Sequence, residues 1–286
     1  MIKALHLQQP TVAVGNALID LAAQHGYNVI IWNGTRSVRF TSFPSALWVP
    51  TALTLDEYTT MVARVKSHGM SFVHHHFLLT HQINWLGGLA TYRHLWYNAG
   101  GSEYNPNHPT VQTYVKNLIN ETVELADPIA ILIGHDEVTQ AAVPPLPPNL
   151  FLDSVYFLHN HIKSHGIKTW MWGDQIISAA EFPTVGNCNG AFLNYYTYRP
   201  LIPKDIVICD WHYTQTPTTF PSSVALMAEG RDVIAVTWST LANIKAFHKY
   251  AQSIGTLGRM TTLWSLTQDD ETAKGIIRAS AGALWT

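Results

Sequence analysis

The sequence predicts a (β/α)8 barrel, an α/β fold in one domain over residues 1–286. Three observations carry that prediction. Short aliphatic runs alternate with amphipathic helical segments along the chain, the order expected of a parallel sheet with crossover helices. Eight such runs can be counted, and 286 residues is the length of one barrel with its loops. No G-x-G-x-x-G follows the first run, so an open dinucleotide-binding sheet lacks its main support.

Residues 5–8 read as the first strand. A helix over 12–25 follows, with Val14, Ala17, Leu18, Leu21 and Ala22 at helical spacing and Gly26 after its end. Residues 28–32 are the second strand, and Arg39-Phe40 with Phe43-Pro44 suggest a loop folded over the barrel mouth. Thr54 with Glu57 three positions on is a capping-box signature, opening a helix whose inner face is Met61, Val62 and Val65 and which Gly69 closes. The third strand spans 71–77, and the long loop after it carries Trp85 and Trp96; a loop of that length is usually functional. A helix over 109–126 places Val111, Val115, Leu118, Ile119 and Val123 on one side and leads into the fourth strand at 129–134. The proline-rich 144–148 is a stiff connection to a helix over 151–165. Strands at 169–172, 206–211, 233–238 and 260–264 complete the eight, with a loop containing Tyr195 and Tyr196 before the sixth and helices at 241–253 and 272–284.

Composition narrows the function. Apolar residues make up 47% of the chain, charged residues 13%, and the net charge is −2, so a large core is available and nucleic acid is not an expected partner. No apolar run approaches the roughly 20 residues of a membrane span. Met1-Ile2-Lys3-Ala4-Leu5-His6 leads into a strand rather than a signal-peptide core, which gives a soluble, cytoplasmic protein as the default expectation. Cys188 and Cys209 read as reduced thiols, and no cofactor is expected.

A barrel carries its active site at the C-terminal ends of the strands. The fourth strand ends in Asp136-Glu137, the fifth in Trp172 and Asp174, the sixth in Asp210, Trp211 and Tyr213, the seventh in Trp238 and the eighth in Trp264. Packing explains one such Trp; four successive strands ending in Trp point to an aromatic-walled pocket, which together with carboxylates suits a sugar. On an extended backbone the side chains of Asp136 and Glu137 point to opposite sides unless a bend brings them together; the alternative is a helix N-terminus with an acidic first turn. A different chemistry is open to His74 and His76, which share one strand face: with His135, Asp174, Asp210 or His212 they could bind a divalent metal in a hydrolase or isomerase.

Tyr104-Asn105-Pro106-Asn107-His108-Pro109, the helix after it and Gly134-His135-Asp136-Glu137-Val138 resemble the corresponding block of the family-20 glycoside hydrolases, the β-N-acetylhexosaminidases, which have a second Gly at the place of His135. Gly69-Met70-Ser71-Phe72-Val73 with His81 looks like that family's third strand and following histidine. Trp172-Gly173-Asp174 is similar to its Trp and acid on strand five, and Gly230 through Val236 resembles its approach to strand seven. The chain departs from the pattern where His75 and Phe77 replace acidic residues, where Trp238-Ser239 stands in place of a tyrosine, where Ser265 and Leu266 replace a glutamate for sugar hydroxyls, and in lacking an arginine on the first strand. The resemblance implies a retaining, substrate-assisted hydrolase of β-linked N-acetylglucosamine or N-acetylgalactosamine. Glu137 would be the general acid and Asp136 would orient the 2-acetamido group, whose carbonyl oxygen attacks the anomeric carbon. Trp172, Trp211 and Trp238 would enclose the acetamido methyl, Tyr213 or Tyr196 would bond its carbonyl, and His81, Asp174 and Trp264 would complete the carbohydrate site. If the departures reflect lost chemistry, the barrel would be an inactive carbohydrate-binding protein.

Overall fold

The computed structural model describes residues 1–8, 11–84, 86, 89–264 and 271–284. Eight parallel strands close in chain order: β1 (Ile2–Gln8), β2 (Val29–Asn33), β3 (Ser71–Leu78), β4 (Ala130–Gly134), β5 (Lys168–Trp172), β6 (Val207–Trp211), β7 (Val233–Thr237) and β8 (Gly258–Leu263), with β8 pairing back to β1. Around them lie α1 (Val12–Gln24), α2 (Leu55–Ser67), α3 (Pro109–Ala126), α4 (Pro148–Ser164), α5 (Pro221–Ala228), α6 (Leu241–Ile254) and α7 (Glu271–Leu284). The predicted (β/α)8 barrel is the observed fold.

Strand periodicity divides the core in two. Ala4, Ile31, Val73, Leu132, Trp170, Cys209, Val236 and Met260 pack inside the barrel. Their neighbours, such as Leu5, Ile30, Phe72, Ile131, Met171 and Ile208, pack between sheet and helices. Burial on both faces is why the strands read as unbroken aliphatic runs rather than alternating patterns. Thr54 and Glu57 form the expected capping box, with Glu57 N–H donating to Thr54 Oγ1 at 3.2 Å and Thr54 N–H to Glu57 Oε2 at 2.8 Å.

Two local readings are corrected. The predicted lid does not cover the mouth: Phe40 is buried against Tyr58, His74 and His76 between β3 and α2, and Thr41 and Ser42 bind the Glu121 carboxylate on α3. Helix α5 has no counterpart in the sequence reading, because eight residues with Ser222 and Ser223 buried give no readable apolar stripe; Pro221 at its first turn is the one local signal. The connection from β5 to β6 is a loop, as the sequence reading has it, with 3-10 turns over Phe192–Leu201. Trp85 lies outside the described residues. Trp96 packs within its own loop, its indole donating to Leu86 O at 3.0 Å. Cys188 and Cys209 are free thiols, and no described helix is long and apolar enough to cross a membrane.

Candidate active site

The bend required by the adjacent carboxylates is present. The backbone after β4 turns through left-handed conformations at Gly134 (φ 77°), His135 (φ 70°) and Glu137 (φ 50°), so Asp136 and Glu137 come to line one cavity and neither caps a helix. Two non-glycine residues in that region is the kind of strain that clusters at functional sites. His135 anchors the bend from behind. Its Nδ1–H donates to Ile133 O at 3.1 Å, which leaves Nε2 to accept from the Ser154 hydroxyl on α4 at 3.0 Å, and burial pulls its pKa down to about 4.

His81 joins the two acids. It follows β3 in a left-handed conformation, with Nε2 3.2 Å from Asp136 Oδ2 and 3.8 Å from Glu137 Oε2. Burial alone would discharge the imidazole, but Asp136 first and Glu137 after it outweigh that and hold its pKa at about 9. The pKa of Glu137 is raised as well, which favours its neutral form: partial burial and the neighbouring Asp136 push it up, with His81 opposing. Asp136 is 8% exposed, and its Oδ1 is buried with no hydrogen-bond partner among the described residues.

Beneath them, fully buried Asp174 holds the wall together. Its Oδ2 accepts from Glu137 N–H at 2.9 Å, Asn189 Nδ2 at 2.8 Å and Gln175 Nε2 at 3.2 Å, and its Oδ1 accepts from Trp211 Nε1 at 3.1 Å. Burial and then Asp136 push its pKa up to about 7, while the N–H donors pull it down. All four partners are donors, a set that suits the carboxylate form.

The cavity, of about 290 Å³, is lined by Gln8, Phe77, His81, Asp136, Glu137, Trp172, Trp211, Tyr213, Trp238 and Trp264. The aromatic residues form an unbroken wall. Phe77 lies 5.3 Å from the His81 ring and 6.5 Å from Trp264; Trp264 Nε1 donates to the Tyr213 hydroxyl at 2.6 Å; and Tyr213 lies 4.7 Å from Trp211 and 5.7 Å from Trp238. Trp172 is buried beside Trp264, with His6 and His75 against it inside the barrel. The indole N–H groups of Trp172 and Trp238 are buried without an acceptor among the described residues.

Eight of the ten residues expected from the sequence therefore share this cavity: His81, Asp136, Glu137, Trp172, Trp211, Tyr213, Trp238 and Trp264. Asp174 stands behind the wall instead of lining it, and Tyr196, half-buried on the Phe192–Leu201 segment, does not line it either. Gln8 and Phe77 also line the cavity and were absent from that set. Their signal was position: each lies at the C-terminal end of an inward-facing series, on β1 and β3.

The metal shell drawn from His74 and His76 does not assemble at the mouth. The two rings do share a face, 4.1 Å apart, but it is the outer face, where they bond Tyr58 at 2.8 Å and Thr122 at 2.9 Å. His212 and Asp210 are likewise turned outward, onto Ser222 of α5. Among the described residues, the set of three His, Cys, Asp or Glu side chains that could hold a cation is His81, Asp136 and Glu137, whose atoms lie within 4.8 Å of one another.

No protein-family model matches the chain, and no curated protein matches it. Solved structures do. The barrel superposes on an exo-β-N-acetylglucosaminidase of glycoside hydrolase family 20 from Vibrio harveyi with a TM-score of 0.73 and 16% identity, covering 100% of this chain and 54% of that one. The fold is that of family-20 catalytic barrels. The family-20 β-N-acetylhexosaminidase of Streptomyces coelicolor A3(2) gives a TM-score of 0.71 at 14% identity over 99% of this chain and 63% of its own. The β-N-acetylhexosaminidase of Bacteroides fragilis gives 0.69 at 15% identity over 99% and 66%. The chain thus spans between about half and two thirds of the length of these family-20 structures.

Proposed function

We propose that this protein is a glycoside hydrolase that releases β-linked N-acetylhexosamine by a retaining, substrate-assisted route. One observation carries the proposal: Asp136 and Glu137, joined through His81, open onto a cavity whose remaining wall is almost wholly aromatic. The family-20 fold of the barrel supports the same reading.

In this reading Glu137, half-exposed and with a raised pKa, gives its proton to the glycosidic oxygen as the C1–O bond breaks. The 2-acetamido carbonyl oxygen attacks C1 from the opposite face and closes an oxazolinium ring, so the protein supplies no nucleophile. Asp136 Oδ1 accepts the acetamido N–H and offsets the charge that develops on the ring. Tyr213 already accepts from Trp264, so its own O–H can turn from neighbouring Thr262 to the acetamido oxygen. Water then attacks C1, Glu137 takes its proton, and the oxazolinium reopens to a product of unchanged anomeric configuration. Trp172, Trp211 and Trp238 enclose the acetamido methyl.

The test is release of 4-nitrophenol from the β-N-acetylglucosaminide, the β-N-acetylgalactosaminide and the plain β-glucoside, with wild type beside Glu137→Gln. Activity confined to the acetamido sugars and reduced at least about 100-fold in the variant is expected, the scale of a lost general acid. Equal cleavage of the plain glucoside would sink the assisted mechanism. Sugar binding without turnover would favour the carbohydrate-binding reading.

A further inference from the structure

We propose that His161, His165 and Asn120 form a binding site for a divalent transition cation of the Zn2+ class, on the outside of the barrel and separate from the active-site cavity. His161 stands in the last turn of α4 and His165 caps its C-terminus, a spacing of four residues that puts both imidazoles on one face of the helix. Asn120 meets them from α3. Its Oδ1 lies 2.8 Å from His161 Nε2 and 2.9 Å from His165 Nε2, and the two rings stand edge to face with centroids 5.1 Å apart. The same ring atom of two histidines and one amide oxygen thus converge at one corner of the α3–α4 interface.

Imidazole nitrogen is the commonest protein ligand for such metals, and two histidines one helical turn apart can grip one ion together. Ligand atoms around tetrahedral Zn2+ stand about 3.3 Å from one another, so each Nε2–Oδ1 distance has to open by only about half an ångström. Exposed Asn120 and His165 are free to make that adjustment, while His161, half-buried, is the fixed point. Each neutral ring keeps its proton on Nδ1 when Nε2 takes the metal, so no charge has to be created, and water fills the remaining position. The donor set also selects the ion. Two imidazoles with a neutral amide suit Zn2+, Ni2+ or Cu2+, whereas Mg2+ and Ca2+ want oxygen ligands, carboxylates above all. The Lys116 ammonium, one turn earlier on α3, sits over the Phe157 ring at 5.0 Å, and its repulsion limits the affinity. His165 lies three residues before β5, at the strand ends opposite the cavity. A cation there would clip together the helices before and after β4, the strand that leads to Asp136 and Glu137, and would stabilise the fold by mass action.

The experiment titrates the full chain with Zn2+ and with Mg2+ by calorimetry and records the thermal midpoint in each, for wild type, His165→Gln, Asn120→Ala and His81→Gln. The last variant removes a ligand of the separate donor set in the cavity. Zn2+ is expected to bind wild type and, at roughly ten times its Kd, to raise the midpoint by about 2–5 °C, with no effect of Mg2+. In His165→Gln, whose midpoint without metal confirms folding, Zn2+ at this site should bind at least about tenfold more weakly and the rise should disappear; Asn120→Ala should weaken binding in the same direction. His81→Gln should keep the rise. In the Cu2+-loaded His81→Gln protein, electron spin echo spectroscopy should count two coupled imidazoles, and one after His165→Gln is added. No Zn2+ binding by wild type, binding and midpoint rise unchanged in His165→Gln, or a rise lost in His81→Gln but kept in His165→Gln would each overturn the inference. The hydrolase reading stands or falls apart from all of these results.

Discussion

Asp174 shows how a residue can govern a site it does not line. A buried carboxylate with four N–H donors has no acceptor role to give up, so changing one oxygen to an amide puts a donor against a donor. In Asp174→Asn the amide nitrogen either replaces Oδ1 and strands the Trp211 indole, or replaces Oδ2 and strands Asn189, Gln175 and the Glu137 backbone N–H, and each stranded donor costs about 1–3 kcal/mol. Because Glu137 is held at φ 50° partly by its N–H bond to Asp174, its carboxyl also loses its setting. We expect kcat to fall at least tenfold with a lower thermal midpoint. A variant with a lowered midpoint but unchanged kcat would mean that the Gly134–Glu137 bend holds its shape without Asp174.

At the scale of elements, the connection from β5 to β6 takes the place of a helix and supplies Asn189 to Asp174. At Gly190 it packs against its own first turn, just after β5. A Cβ there would lie 2.5 Å from Gln175 O and 2.7 Å from Ile177 O, both backbone atoms that cannot rotate away. Gly190→Ala should therefore destabilise the protein by about 1–3 kcal/mol and lower kcat/KM by drawing Asn189 off Asp174. Gly275 on α7 is the control: a Cβ there meets nothing within 4 Å, so Gly275→Ala should stabilise by up to about 1 kcal/mol. Chemical denaturation of both variants decides, and opposite signs are the expected result.

For the whole molecule, pH is the exposed flank. His6, His74, His75, His76, His135 and His248 are fully buried. Burial lowers the pKa of His6, His76 and His248 to about 3 and of His135 to about 4, and drives His74 and His75 well below the usual histidine value. Their folded pKa values are depressed, so the unfolded chain takes up protons first. Stability is whole above pH 6.5 and is lost as pH falls from there toward 3. By pH 5 each of the four with a stated value costs about 2 kcal/mol, about 8 together, and the other two add to the loss. Native domains have roughly 5–15 kcal/mol in total. His81 has the opposite sign: its pKa is raised to about 9, so its contribution is present below pH 6.5 and is lost as pH rises through 9. Circular dichroism between pH 8 and 3 should show cooperative unfolding with a midpoint between about pH 6 and 4. A native spectrum retained at pH 3.5 would contradict this account, and the expected behaviour places the working range near neutrality.

Much of this was legible in the residues. Closure into eight parallel strands follows from aliphatic runs buried on both faces, and the ends of those runs, Asp136-Glu137, Trp172, Trp211, Trp238 and Trp264, identify the cavity because a barrel brings all its strand ends together. Those are local properties, written in composition and period. What the residues left open were choices among neighbours. Whether His74 or His75 faces inward depends on strand register; whether Asp174 lines the cavity or braces it depends on where Trp211 and Asn189 arrive from other elements; and Phe40 found α2 instead of the mouth. The sequence alone determined the barrel and most of the rim of its cavity, since periodicity and strand ends are set within a few residues of chain. The tertiary structure alone decided which polar groups meet, since hydrogen bonds and pKa shifts act over a few ångströms between residues far apart in sequence.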